Sequence, residues 1–282
     1  MAGAETSQLL LRVVTGAVLV AVALAAVWLG GTPFTALVAA ATLIMLAEWN
    51  VMHRGARLVL RAGLAILAAT IMLTAFARLT EAMLLLGFGA IVIGLLAASV
   101  GGRLPTLDKP KGAMNRAAGR TAAMGLLYCG LPALALLWLR SLPMGFQATV
   151  FVLTCVWATD IAAFFAGRAI GGARLAPSIS PNKTWAGAIG GVLGAVLVAG
   201  TLAANFASVP GVGLLAFVTV AAVLATLSVL GDLFESWLKR RAGVKDSGTI
   251  LPGHGGVMDR LDGLVPVAVA GAAVFALTGW AA

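Results

Sequence analysis

The chain has 282 residues, of which 61% are hydrophobic and only 10% are charged. A soluble domain carries about 25% charged residues, so this composition excludes a water-soluble globular protein. It also excludes a disordered chain, because disorder requires low hydrophobicity and dense charge.

Nine stretches of roughly the length that a helix needs to cross a bilayer contain few or no charged residues. They cover approximately residues 13–30, 33–52, 59–77, 82–100, 121–139, 146–167, 187–207, 211–238 and 257–280. The sequence therefore predicts an all-α, polytopic integral membrane protein with about nine transmembrane helices. We expect one membrane domain over residues 1–282, in which 1–120 hold spans 1 to 4 and a basic loop, and 121–282 hold spans 5 to 9 and the functional site.

The basic residues fall almost entirely in alternate gaps between these spans. Of the 19 Lys and Arg residues, 17 lie on one side of the predicted membrane and 2 on the other. Because positive charge accumulates in cytoplasmic loops, we expect a cytoplasmic N-terminus and an external C-terminus in a cell membrane, either plasma or bacterial inner. Aromatic residues do not interleave with the basic ones, so the net charge of +9 does not indicate a nucleic-acid partner.

The two cysteines, Cys129 and Cys155, lie within predicted spans and lack metal-ligand spacing. We interpret them as small apolar packing residues.

Four carboxylates lie within or at the ends of predicted spans: Glu48, Asp160, Asp232 and Glu235. A charged side chain inside a bilayer is costly, so such residues are functional candidates by default. Under the predicted topology they reach a similar depth near the cytoplasmic face, which indicates a cation site or an inward-facing polar cavity. For Glu48 and Glu235 the alternative is a side chain that extends from a helix end to water.

The eighth predicted helix carries a polar face. Asp232, Glu235, Ser236 and Lys239 follow the spacing i, i+3, i+4, i+7, which places them on one side of a helix. An ion pair between Glu235 and Lys239 on an exposed last turn would explain part of this pattern. It would not explain Asp232, which lies deeper in the span.

The segment after this helix is rich in glycine and in charge of both signs. Gly253 to Gly256 directly precede the predicted ninth helix, whose free N–H groups would favour an anion. Asp259 lies in its first turn and could face Asp232, and carboxylate oxygens suit Mg²⁺. The positive charges that would surround metal-held phosphates are Lys239, Arg240, Lys245 and Arg260.

The loop before the seventh span has a similar character. Ser180 is a plausible N-cap with Pro181 at the first helical position, which would place Lys183 in the first turn. A cation there opposes the helix dipole unless an anion binds beside it, so we expect a phosphate contact. The alternative is that Lys183 only adds to the cytoplasmic positive charge.

Walker, nucleophile-elbow and zinc-helix motifs do not occur in the sequence, and no Ser-His-Asp grouping can be assigned. The polar inventory favours phosphoryl or nucleotidyl transfer by metal and electrostatic stabilisation. In the seventh span, Gly187, Gly190, Gly191 and Gly194 permit close helix contact. We favour packing within the chain and leave a homodimer open.

One run of residues resembles the signature of phosphatidate cytidylyltransferases, also called CDP-diacylglycerol synthases. It reads Ser236-x-Leu238-Lys239-Arg240-x4-Lys245-Asp246-x-Gly248-x2-Leu251-Pro252-x-His254-Gly255-Gly256-Val257-x-Asp259-Arg260-Leu261-Asp262. The loop Ser180-Pro181-x-Lys183-Thr184 and Asp160 are similar to further family features. The resemblance is firm from about residue 155 to 263.

The resemblance implies that CTP and phosphatidic acid, taken from the surrounding membrane lipids, give CDP-diacylglycerol and pyrophosphate. It implies Mg²⁺ and admits a second cation such as K⁺, with the active site on the cytoplasmic side. The metal ligands that it implies are Asp232, Asp259 and Asp160. The implied catalytic residues are Lys239, Arg240, Lys245, Asp246, His254, Arg260 and Asp262. The implied substrate-binding residues are Ser180, Lys183, Thr184, Ser236, Gly255 and Gly256.

The chain departs from the family pattern at Ala186, where a Glu is usual, and at Phe164 or Phe165, where a Tyr is frequent. Two other functions compete with this interpretation. An ion-coupled transporter would use Asp160 and Asp232 as an ion pathway. A CDP-alcohol phosphotransferase would use paired Asp residues and Mg²⁺, but its DGxxAR pattern does not occur in the sequence.

Overall fold

A computed structural model describes residues 2–100, 111–203, 213–251, 253 and 255–280 of the chain. Within this part the helices are α1 (Ala2–Leu29), α2 (Gly31–Met52), α3 (Arg57–Ala75), α4 (Leu79–Val100), α5 (Lys111–Ser141), α6 (Gly145–Ile170), α7 (Trp185–Leu202), α8 (Leu214–Ala242), α9 (Met258–Leu261) and α10 (Leu264–Thr278). Two short antiparallel strands, β1 (Arg174–Ala176) and β2 (Ser180–Thr184), lie between α6 and α7.

Seven of the described helices, α2 to α8, are long and apolar enough to cross a membrane. Residues Val14–Leu29 of α1 and the whole of α10 are shorter apolar helices. Large apolar side chains such as Leu197 and Leu215 are 73% and 79% exposed, which suits a surface that faces lipid. The prediction of an all-α, polytopic membrane protein is confirmed, whereas the orientation of the termini and the number of nine spans stay predictions.

The predicted ninth span does not form one helix, which corrects the sequence interpretation. The short helix α9 ends at Leu261, and α10 begins at Leu264. Pro266 has no N–H with which to continue the helical ladder to the carbonyl of Asp262. The Asp262 carboxylate instead accepts a hydrogen bond of 2.8 Å from the N–H of Gly263, which stabilises the turn between the two helices.

The chain forms two compact units. The first comprises Met1–Leu137 and Asp246–Arg260, and the second comprises Trp138–Lys245 and Leu261–Ala282. The boundary between the two units falls within α5, and the division of the predicted domain at residue 120 stays a prediction. One membrane domain over the whole chain stays a prediction.

Each unit has its own apolar core. In the second unit, the rings of Phe151 and Phe217 lie 4.2 Å apart, and Phe275 lies 6.5 Å from Phe151. Cys129, in the first unit, and Cys155, in the second, are both buried and free, which confirms their interpretation as packing residues. The fully buried side chains of the first unit include Leu67, Leu86, Ile93 and Leu126.

Close packing of α7 against α6 depends on glycine. A methyl group added to Gly191 would lie 2.9 Å from the carbonyl oxygen of Thr159, and one added to Gly190 would clash with Ala166. The four glycines with the predicted spacing all contact α6 in this way: Gly187, Gly190, Gly191 and Gly194. The preference for packing within the chain is confirmed, and this motif gives no support for a homodimer through α7.

Candidate active site

An ion pair joins the end of β2 to α8 in the second unit. The ammonium group of Lys183 contacts Oδ2 of Asp232. The two side chains are 25% and 32% exposed, so a ligand can reach both. The sequence predicted each residue as part of the site, and the structure brings them together.

The predicted polar face of α8 is present in the structure. Ser236 donates a hydrogen bond of 3.4 Å to Oδ1 of Asp232, one helical turn away. Lys239 donates to Oε1 of Glu235 at 3.1 Å, again over one turn. The spacing i, i+4 thus produces two neighbouring polar pairs on one helix.

The pair between Glu235 and Lys239 is buried, which excludes the alternative of an ion pair on an exposed last turn. The side chain of Glu235 is 0% exposed and that of Lys239 is 13% exposed. Glu235 therefore does not extend to water. Its charge is balanced inside the protein, as burial of a carboxylate requires.

Asp262 approaches this region because α8 has a glycine at the contact. A methyl group on Gly231 would lie 2.6 Å from the carbonyl oxygen of Asp262, so only glycine lets the turn pack against α8 beside Asp232. Asp262 lies in the turn outside both helices. Burial, and then the charges of Asp232 and Asp160, raise the pKa of its carboxyl to about 7, against the opposing effects of the Gly263 N–H and of Lys183. The charges of Asp232, Asp160 and Lys183 therefore all act on the Asp262 carboxyl.

The loop that enters α7 differs from its prediction. Ser180 to Thr184 form strand β2, and the N-cap of α7 is Thr184 rather than Ser180. The Thr184 hydroxyl accepts a hydrogen bond of 3.0 Å from the N–H of Gly187, which satisfies one of the free donors of the helix. Lys183 consequently precedes the helix instead of lying in its first turn. Ser180 lies at the other end of the strand, where it pairs with Ala176.

The other basic residues near this loop occupy different environments. Arg240 donates from Nε to the carbonyl oxygen of Ile179 at 3.4 Å, so it connects the end of α8 to the segment before β2. Lys245 is exposed after the end of α8. Both predicted cations remain on the surface of the second unit.

A second carboxylate-centred cluster lies in the first unit. Glu48, near the end of α2, is 3% exposed. Its Oε1 accepts from the N–H of Val257 at 2.9 Å, and its Oε2 accepts from the N–H of Met258 at 2.8 Å and from the hydroxyl of Ser247 at 3.3 Å. Glu48 therefore does not extend to water, and it binds protein donors.

The Asp259 carboxylate takes further backbone donors of this segment. It accepts from the N–H of Gly256 at 2.8 Å and from the N–H of Ser247 at 3.0 Å. Three N–H groups at the entry to α9, those of Gly256, Val257 and Met258, are therefore not free for a ligand as expected, because carboxylates of the protein accept from them. Gly255 has a φ of +83°, which a side chain would disfavour.

The remaining predicted residues of this segment are accessible. Asp246 and Arg260 are both exposed in the first unit. His254 lies outside the described residues. Among the residues that the structure describes, no three His, Cys, Asp or Glu side chains converge as a metal-binding group.

The fold and the site define a polytopic membrane protein with a partly accessible cluster of carboxylates and one ammonium group. The chain matches the cytidylyltransferase family over residues 10–278 and belongs to that family. The phosphatidate cytidylyltransferase of Brucella suis (biovar 1, strain 1330) is 43% identical over 273 residues, which cover 93% of this chain and 91% of that protein. The resemblance seen in the sequence is confirmed.

Two further relatives carry the same name and match shorter regions. The phosphatidate cytidylyltransferase of Pseudomonas aeruginosa is 39% identical over 164 residues, covering 58% of this chain and 60% of that protein. The one from Thermotoga maritima is 42% identical over 134 residues, covering 46% of this chain and 50% of that protein.

Sequence reasoning missed the role of Glu48 and the capping role of Thr184. A signal existed for Thr184, because it directly precedes the apolar run of α7. For Glu48 the burial of a carboxylate was foreseeable, but its partners lie about 200 positions away in sequence.

Proposed function

We propose that this protein is a phosphatidate cytidylyltransferase, which converts CTP and phosphatidic acid to CDP-diacylglycerol and pyrophosphate. The observation that carries the proposal is the 43% identity to a protein of that name over almost the whole of both chains. The polytopic fold supports it independently, because a lipid substrate is reached from within a membrane.

In the reaction, a phosphate oxygen of phosphatidic acid forms a bond to the α-phosphorus of CTP, and the bond between the α- and β-phosphates breaks. Pyrophosphate leaves with the electron pair. The attacking phosphate is already an anion, so the enzyme needs no strong general base. The main barrier is the approach of two anions, which preorganised positive charge lowers.

Lys183 is the residue best placed to supply that charge. Its ammonium group is partly exposed and lies beside Asp232, which holds it at the edge of the carboxylate cluster. We assign it to the phosphates of the substrates. Arg240 and Lys245 are exposed cations of the same unit and are assigned to the same task, while Lys239 lies in the buried pair with Glu235.

The carboxylate cluster fits Mg²⁺ by its chemistry. Asp232 and Asp262 offer hard oxygen donors, and the negative charges of Asp232 and Asp160, which raise the pKa of Asp262, favour a cation beside these carboxylates. Magnesium commonly uses only one or two carboxylates and completes its shell with water and substrate phosphates, so a larger protein cage is not required. When bound, the ion would withdraw charge from the CTP phosphates and stabilise the leaving pyrophosphate.

Several assignments stay predictions. Asp259 as a metal ligand and Arg260 as a cation beside the phosphates come from the residue pattern and the family resemblance, and Asp246 and His254 as catalytic residues come from the resemblance. The same holds for Gly255 and Gly256 as substrate contacts and for a second cation such as K⁺. The cytoplasmic position of the site is proposed from the distribution of basic residues.

The direct test is formation of CDP-lipid and pyrophosphate by the purified protein with CTP, phosphatidic acid and Mg²⁺. We expect Asp232→Asn to reduce the rate at least about 100-fold, since it removes charge from the reacting centre. Glu81→Gln is the matched control, because Glu81 is exposed, pairs with Arg78 and is not among the residues assigned to the site.

A second measurement tests the metal without activity. Mg²⁺ should raise the unfolding temperature of the wild type and of Glu81→Gln, and this rise should be lost in Asp232→Asn. A folded wild-type protein that leaves CTP intact with phosphatidic acid across divalent ions would contradict the proposed function.

A further inference from the structure

The most completely built polar arrangement outside the Lys183 cluster is centred on Glu48. Its carboxylate is buried in the first unit and accepts three hydrogen bonds, two from backbone N–H groups and one from the Ser247 hydroxyl. A buried carboxylate is tolerated only with such donors. All three donors belong to residues 247–258, which join α8 to α9.

Glycines in this connection leave room for the carboxylate. A methyl group added to Gly248 would lie 2.6 Å from Oε1 of Glu48, and its three nearest neighbours are all atoms of Glu48. A methyl group on Gly256 would lie 2.7 Å from the same oxygen. Gly248 therefore serves the approach of the protein's own carboxylate, and Gly256 serves the approach of both the Ser247 hydroxyl and that carboxylate.

Asp259 holds the same connection from its other side. Asp259 accepts from the N–H groups of Ser247 and Gly256. Glu48 accepts from the hydroxyl of the same Ser247 and from the N–H of Val257, which follows Gly256. Glu48 reaches the connection from α2, whereas Asp259 is part of α9. Glu48 is thus the link that ties the connection to a membrane helix of its unit.

We propose that Glu48 is a positioning residue that holds this connection in its active shape and so orients Asp259 and Arg260. This inference rests on the proposed function, in which Asp259 is a predicted metal ligand and Arg260 a predicted catalytic residue. Glu48 itself touches neither substrate, because its carboxylate is buried among protein donors.

The first test compares Glu48→Gln with Glu81→Gln. In the wild type both carboxylate oxygens of Glu48 accept from backbone N–H groups. In Glu48→Gln one of these oxygens is replaced by an NH₂ group, so two hydrogen-bond donors face each other and the connection loosens. We expect kcat to fall by roughly 10- to 100-fold, with the KM for CTP within about threefold of wild type, because misplacement affects the chemical step most. Glu48→Asp keeps the charge and should recover part of the lost kcat. Glu81→Gln should leave both constants unchanged.

Hydrogen exchange supplies a readout that does not depend on activity. Amides of residues 257 and 258 should exchange at least about tenfold faster in Glu48→Gln, while those of α6 and α7 keep their rates. Uniformly faster exchange would indicate a general structural role and would overturn the proposal. Unchanged exchange at residues 257 and 258 would overturn it as well.

If Glu48→Gln folds poorly, a double-mutant cycle still tests the proposal. Gly248→Ala should lower kcat about tenfold or more in the wild type, since the three atoms nearest to the new methyl group all belong to Glu48. In the Glu48→Ala background the same substitution should change kcat less than about threefold. Additive effects would overturn the proposed contact.

A wild type that forms no CDP-lipid, together with the expected faster exchange in Glu48→Gln, would refute the proposed function and leave the role of Glu48 in fixing the connection intact.

Discussion

Replacement of Lys239 by methionine tests whether the buried pair on α8 is structural, catalytic or both. The variant leaves Glu235 in a buried position without the ammonium group that lies 3.1 Å from its Oε1. At an effective dielectric constant of about 20, two unit charges at that distance attract each other by about 5 kcal/mol. Removal of one partner of a buried pair costs about 3–5 kcal/mol in stability, which agrees with this electrostatic attraction in magnitude.

The expected result is a large loss of stability in Lys239→Met. For a chain of this size, a loss of about 4 kcal/mol lowers the unfolding temperature by roughly 10 °C. The measurement is thermal unfolding of the detergent-solubilised protein, followed by circular dichroism. The double variant Glu235→Gln/Lys239→Met removes both charges and should recover most of the loss, because a neutral replacement of a buried pair is often well tolerated.

The activity of the double variant then separates the two roles of Lys239. If the double variant is stable but forms little CDP-lipid, Lys239 also acts on the substrate phosphates, as the family resemblance implies. If stability and activity both recover, its role is to neutralise Glu235. An unfolding temperature of Lys239→Met that matches wild type would refute the electrostatic reasoning.

Two further predictions concern packing and topology. Gly191→Ala should destabilise the protein by about 1–3 kcal/mol, because its methyl group meets the Thr159 carbonyl. In the matched variant Gly200→Ala on the same helix, the new methyl group meets no neighbouring atom within 4 Å, so the substitution should stabilise the protein by about 0.5 kcal/mol. Both variants are measured by thermal unfolding, and equal shifts in their unfolding temperatures would contradict the packing argument. Thr249→Cys, at an exposed position after α8, should react with a membrane-impermeant maleimide only from the cytoplasmic side, and Ser141→Cys only from outside. The reverse labelling pattern would overturn the predicted orientation.

The helices could be predicted from sequence because the bilayer dictates their length and composition. An apolar run of about 20 residues has few alternatives in a chain with so little charge. The polar face of α8 was predictable for a related reason: helical geometry alone makes residues 232 and 236, or 235 and 239, neighbours. Periodicity does not reveal burial, so the sequence could not decide whether the pair of Glu235 and Lys239 is exposed or buried.

The entry to α7 shows how two local signals can compete. Ser180 and Thr184 are both good N-cap residues, and Pro181 favoured the first of them. The choice depends on pairing between Arg174–Ala176 and Ser180–Thr184, which keeps the segment extended until Thr184. That pairing brings together residues up to ten positions apart. Rules for helix starts consider only neighbouring residues, so they could not predict it.

Glycine was the most ambiguous signal in the sequence. A glycine indicates that something approaches the backbone closely, but the sequence does not say what approaches. In this protein the approaching group is helix α6 at Gly191, a backbone carbonyl at Gly231, and a carboxylate of the protein at Gly248. The glycine-rich segment after α8 predicts an anion beside the next helix, whereas the groups that approach Gly248 and Gly256 are Glu48 and, at Gly256, also Ser247. Contact between a residue of α2 and a segment some 200 positions later requires the folded chain, and for this reason Glu48 could be recognised in the sequence only as an unexplained buried charge.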